Sequence, residues 1–138
     1  MMPLLHVVCV ILTIPVVFYS DVIGHAWFVG KKPLLDKKLI VTLHRLVWVG
    51  LFGMVVTGVI MIADKSAEFF AKPAFQVKMA CVIALIINSF VIEKVMAVAT
   101  EKKYATLTTR ERLFIMTSGA VSIVGWLGAL LCAFLLAE

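Results

Sequence analysis

No polar linker, low-complexity tract or tandem repeat interrupts the 138-residue chain. Residues 1–138 therefore read as a single transmembrane domain. Also missing are a glycine-rich phosphate loop, a nucleophile placed beside a base, and paired carboxylates, so hydrolytic and group-transfer chemistry has no signature here. Cysteine is scarce: Cys9, Cys81 and Cys132 are an odd number, which rules out a complete disulfide framework, and each sits in an apolar stretch as a small core residue. There is no Cys-x-x-Cys motif and no Met-rich run. The apolar runs are continuous and do not alternate with polar residues, which excludes a closed membrane barrel.

Apolar surface is what the chain has in excess. Hydrophobic residues make up 63% of it and the mean hydropathy is +1.10, more than a soluble globule of this size can hide. Four runs, roughly residues 3–29, 39–63, 73–99 and 112–137, each reach the ~20 residues that a helix needs to cross ~30 Å of hydrocarbon. Short connections force neighbouring helices to be antiparallel. The expected fold is all-α, an integral membrane four-helix bundle of up-down-up-down topology. The first run has no preceding basic residues and no small-residue cleavage site, and it is too long for a secretory signal, so it is expected to remain as a span.

The formal charge of +5 is distributed unevenly. Lys31, Lys32, Lys37, Lys38 and Arg45 flank the first connection, and Lys94, Lys102, Lys103, Arg110 and Arg112 the third. The second has Lys65, Lys72 and Lys78 against Asp64 and Glu68. The positive-inside rule then puts the first and third connections in the cytoplasm and both termini on the outer, periplasmic side of the inner (plasma) membrane. The basic excess is a topology signal and a cushion for lipid headgroups, not a nucleic-acid footprint. Pro33 and Pro73 fall at helix borders, whereas Pro15 falls mid-span and predicts a bend. Thr108 or Thr109 is placed to cap the last helix, and Tyr104 marks an interfacial turn. Gly50, Gly53 and Thr57 share a face of the second helix, and Ser118, Ser122, Gly125 and Gly128 line the fourth. Both sets predict close packing, within the chain or in a homo-oligomer.

Ionisable residues fall into two layers. Near the outer boundary lie His6 and Lys78. Near the cytoplasmic boundary lie His25 and His44, with Asp21, Arg45, Glu93 and Lys94 at similar depth. His6, Thr13, Ser20 and Gly24 form one stripe on the first helix, expected to face the interior. Asp21 and His25, four residues apart, are spaced for a carboxylate to hold the imidazole. An ionisable group in hydrocarbon costs ~2.5–3.5 kcal/mol, so a set of them needs partners or a purpose. A snorkelling Lys78 and hydrogen-bonded histidines make up the plain reading. The functional reading is a porphyrin slot with one or two haem b groups, taking axial ligands from His25, His44 or His6, with Arg45 meeting the propionates and Lys78 a further ligand or a proton carrier. A metal-ion reading competes: His6-x-x-Cys9 and Lys78-x-x-Cys81 with Cys132 suit copper. A third reading is an accessory subunit of a larger membrane complex.

The strings "LLHVVCVILTIPVVFYSD", "LHRLVWVGLFGMVVTGVIMI" and "KPAFQVKMACVIAL" resemble the HemJ-type membrane protoporphyrinogen oxidases and the wider CopD-like four-helix proteins. The resemblance covers the first three helices. It implies a four-helix fold, bound haem b, and a functional histidine and lysine on the first and third helices, here His6 and Lys78. His44 with Gly50 and Gly58 fits the second helix. Two features depart from the oxidase pattern: Asp21 and His25 replace a basic residue after Phe18-Tyr19, and the fourth helix lacks Asn-Glu-x-Pro. Haem binding therefore carries over further than porphyrinogen oxidation. The expectation is a haem b redox protein in which Lys78 and Asp21 move protons and electrons pass to a quinone or partner protein.

Overall fold

The computed structural model describes residues 2–137. They form five α-helices: α1 (Met2–Phe28), α2 (Lys37–Ile62), α3 (Ser66–Phe70), α4 (Pro73–Glu101) and α5 (Thr109–Ala137), with no strand among the described residues. The four long helices match the predicted runs to within a few residues, and each is long and apolar enough to cross a bilayer. The short α3 was not anticipated. It lies in the α2–α4 connection, where Phe70 packs edge-on against Phe75 at 5.2 Å. The expected turn at Tyr104 is a single 3-10 turn over Tyr104–Thr106.

Local chemistry explains the boundaries. Gly30 adopts φ +80°, a left-handed conformation that favours glycine, and ends α1. Asp36 caps α2 by accepting from the Lys38 amide at 3.0 Å. At α5 the cap is Thr108: its hydroxyl accepts from the Glu111 amide at 3.2 Å and contacts the Glu111 carboxylate at 3.3 Å, a variant of the capping box. α1 continues as one helix through Pro15.

The long helices pair as two antiparallel hairpins, α1 with α2 and α4 with α5, which meet chiefly along α2 and α4. Within each hairpin the backbones approach where the sequence placed small residues. A Cβ built on Gly50 would collide with the Thr13 side chain, and one on Gly53 would stand 3.0 Å from Cys9 Sγ. In the second hairpin a Cβ on Gly125 would meet Leu85 at 2.8 Å, and one on Gly128 would meet Cys81 Sγ at 2.8 Å. These two sets of contacts correspond position by position. Cys9-Val10-Ile11 aligns with Cys81-Val82-Ile83, and Val49-Gly50 and Gly53 with Val124-Gly125 and Gly128. The two hairpins therefore repeat one packing register, which a linear reading of the sequence does not show because few letters are shared.

Large apolar side chains dominate the lateral surface: Phe18, Phe52 and Phe134 are 70%, 71% and 67% exposed, which is stable only against lipid. A separate core forms where the basic connections gather. Ile23, Trp27, Leu35, Ile40, Leu43, Ala99 and Leu107 are buried together. Trp27 donates its indole N–H to the Lys102 carbonyl at 3.1 Å and meets the Tyr104 ring edge-on at 5.3 Å. The Leu35 amide donates to the Ala99 carbonyl at 3.1 Å, so the α1–α2 connection is stitched to the end of α4. We call this the basic end and the opposite one the terminal end.

Gly50→Ala is expected to lower stability by about 1–3 kcal/mol, as overpacking does. Gly119→Ala, where a Cβ meets nothing within 4 Å, should be neutral or stabilising by up to ~1 kcal/mol. Thermal unfolding in detergent checks both, and Thr13→Ala should relieve the Gly50→Ala defect.

Candidate functional site

Between the hairpins, next to the Trp27 core, lies a cavity of about 500 Å³, within the ~300–1,000 Å³ range of small-molecule and cofactor sites. All four long helices line it. Its walls are mostly aliphatic, with Trp27 and Phe28 towards the basic end and Trp126 deeper in. Polar groups come from Asp21 and His25 on α1, His44 on α2, and Asn88, Ser118 and Ser122 on α4 and α5.

Most of this polar lining is already satisfied. The Asn88 amide donates to the Ser118 carbonyl at 3.0 Å, and the Ser118 hydroxyl donates back to Asn88 Oδ1 at 2.9 Å, a reciprocal lock between α4 and α5. Ser20 and Ser89 return their hydroxyls to carbonyls of their own helices, those of Val16 and Leu85. His44 Nε2 accepts the Trp48 indole N–H at 3.0 Å. Glu93 Oε1 is 3.7 Å from the same nitrogen. An indole can only donate, so Nε2 presents its lone pair to Trp48 and the carboxylate is a neighbour, not a hydrogen-bond partner. Trp48 is held in turn by Phe90, ring to ring at 5.1 Å.

Besides the Ser122 hydroxyl, Asp21 and His25 are left over. Both face the cavity, and neither has an ion-pair or hydrogen-bond partner among the described residues. The expected Asp21–His25 contact is therefore not made. Spacing put the two on neighbouring faces, but the imidazole instead lies parallel to the Phe28 ring at 6.5 Å. Arg45 also departs from expectation: it is exposed and does not line the cavity, so it offers no anchor there.

The second layer sits at the terminal end. His6 Nδ1 is 2.9 Å from Thr57 Oγ1, and that hydroxyl is spent on the Gly53 carbonyl at 2.7 Å. The hydroxyl thus accepts from Nδ1–H, which fixes the tautomer and leaves Nε2 with a free lone pair. Lys78, six residues into α4, lies at the depth of His6. Here too the repeat holds, since the register that pairs His6 with Thr57 pairs Lys78 with Cys132. His6 and Lys78 do share a layer, as their depth predicted. His6 is roughly 28 Å along α1 from His25 at ~1.5 Å per residue, so the three histidines form no common site.

No three His, Cys, Asp or Glu side chains converge as a metal cage among the described residues. The copper reading of His6-x-x-Cys9 and Lys78-x-x-Cys81 with Cys132 gains no such cluster in support. All three thiols are free, and Cys9 and Cys81 pack into the glycine notches of the opposite helices. Comparison with protein-family models, curated proteins and solved structures found no match.

Sequence reasoning missed Trp48, which an apolar run conceals. Its signal was the four-residue step from His44, the spacing at which an indole reaches an imidazole one turn away.

Asn88→Ala and Ser118→Ala should each destabilise the protein. Their combination should fall short of the sum by about 0.6–1.7 kcal/mol, the range for hydrogen bonds between membrane helices. Unfolding of the two single variants and the double variant in detergent measures this. Full additivity would show the lock to be energetically silent.

Proposed function

We propose that this chain is a haem b-binding membrane redox protein of the HemJ and CopD-like kind, with one haem in the cavity at the basic end. The observation that carries this reading is the cavity itself, of cofactor size, apolar-walled, and facing two imidazoles from adjacent helices. A flat apolar macrocycle fits such a slot, and the imidazole wall has the donor chemistry haem iron takes. Bound haem supplies one-electron chemistry. The protein supplies ligation from the histidine wall, a dry environment set by the aliphatic lining, and an unpaired carboxylate, Asp21, able to take up or release a proton beside the cofactor.

The terminal-end pair supports a second role within the same reading. His6, with Nε2 free, and Lys78 in the same layer make a proton-handling site on the opposite side of the span. In that role the protein oxidises a porphyrinogen or passes electrons to a quinone or a partner protein. The basic connections face the cytoplasm and the termini face outward across the plasma membrane.

Protein expressed with haem supplementation and purified in detergent is expected to be red, with a Soret band in near one-to-one ratio to the chain. A colourless, folded preparation would overturn the reading. Single cysteines placed at Lys31 or Lys103 in a Cys-free background should react with an impermeant thiol reagent only after the cytoplasmic face is opened. Reaction in intact cells would reverse the orientation.

A further inference from the structure

A second groove, of about 240 Å³, lies between α4 and α5 at the basic end. Val98, Phe114 and Ile115 line it with apolar surface, and Arg110 and Glu111 stand over it from the first turn of α5. Phe114 is exposed, so the groove opens towards lipid. An acyl chain fills an apolar groove in a bilayer, because a void forfeits the contacts of its whole lining. The charges at the rim then select the headgroup that the chain carries.

The acid in the lining is already engaged: the Glu111 carboxylate lies 3.6 Å from the Lys102 ammonium and 3.3 Å from the Thr108 hydroxyl. Arg112 is spent as well, donating to the Ala105 carbonyl at 2.8 Å with its guanidinium 5.3 Å from the centre of the Tyr104 ring. Arg110 is exposed and has no ion pair among the described residues. Lys94, one turn before Val98 on the same face of α4, is equally exposed and equally unpaired. From that depth the lysine stem carries its ammonium to the boundary. Glu93, its neighbour in sequence, is turned to His44 on the other hairpin. We propose that this groove binds one anionic phospholipid, with an acyl chain against Val98, Phe114 and Ile115 and the phosphate between Arg110 and Lys94. The site goes beyond the haem reading and does not rest on it. A guanidinium holds phosphate through paired hydrogen bonds, and an anionic headgroup brings no ammonium of its own to oppose the two cations.

The test is lipid retention by the full chain in detergent, read by native mass spectrometry after addition of dioleoyl phosphatidylglycerol or dioleoyl phosphatidylcholine. One phosphatidylglycerol per chain should be held in preference to phosphatidylcholine. Equal retention of the two lipids overturns the proposal. Arg110→Gln and Lys94→Gln should each weaken phosphatidylglycerol binding about fivefold, the weight of one basic side chain at an anionic surface. Lys31→Gln/Lys38→Gln removes two charges from the other hairpin at the same end and should leave that binding as in wild type. An equal loss there would reveal a diffuse headgroup cushion and no site. Phe114→Ala should loosen both lipids, and an unaltered affinity in that variant would place the chain elsewhere. Inorganic phosphate alone should not displace the lipid; displacement would mean that the cations act without the groove. Colourless and haem-loaded protein should behave alike, so failure here leaves the haem reading standing.

Discussion

Everything in this molecule depends on how closely two backbones can approach without the hydrophobic effect to press them together. In lipid, leucine gains nothing by leaving one helix surface for another, so association rests on contact area and on hydrogen bonds between helices. Gly50 and Gly53 supply that area against Thr13 and Cys9, and Gly125 and Gly128 supply it against Leu85 and Cys81. The hairpins are tight because those positions are bare. Between hairpins no such notch exists along most of the length, and the cavity is what remains. It is closed at one end by the Trp27 knot, where ordinary burial returns because that end lies among the charged connections.

The placement of polar groups follows from the same division. Inside a hairpin, polar side chains are consumed in locking the pair: His6 onto Thr57, Asn88 onto Ser118. Between hairpins they are left unpaired, as Asp21 and His25 are. A bilayer tolerates uncommitted ionisable groups only where protein surrounds them or water reaches them; Asp21 and His25 border the cavity but are exposed, in the half of α1 nearer the basic end.

The number of long helices, their limits and the small-residue faces were legible in the sequence, because hydropathy and a period of 3.6 residues report length and azimuth directly. The two-layer arrangement of His6 with Lys78 and of His25 with His44 was legible for the same reason, since depth is a count of residues. What escaped was whatever depends on side-chain torsion or on a partner helix. Azimuth put Asp21 next to His25, yet the imidazole turned towards Phe28. Arg45 has the right depth for a propionate but the wrong side of α2. Trp48, an unremarked member of an apolar run, determines the state of His44. The repeat was hidden because its copies share contacts more than letters.

That repeat carries a consequence for how unequal the two halves are. By the register that aligns Cys9 with Cys81 and Gly50 with Gly125, Ala97 stands where His25 does and Gly119 where His44 does, whereas Glu93 echoes Asp21. A twofold assembly of identical hairpins would present four imidazoles to a shared interior. Because both halves lie in one chain, neither has to mirror the other, and imidazoles in one face a methyl and a hydrogen at the matching places in its counterpart.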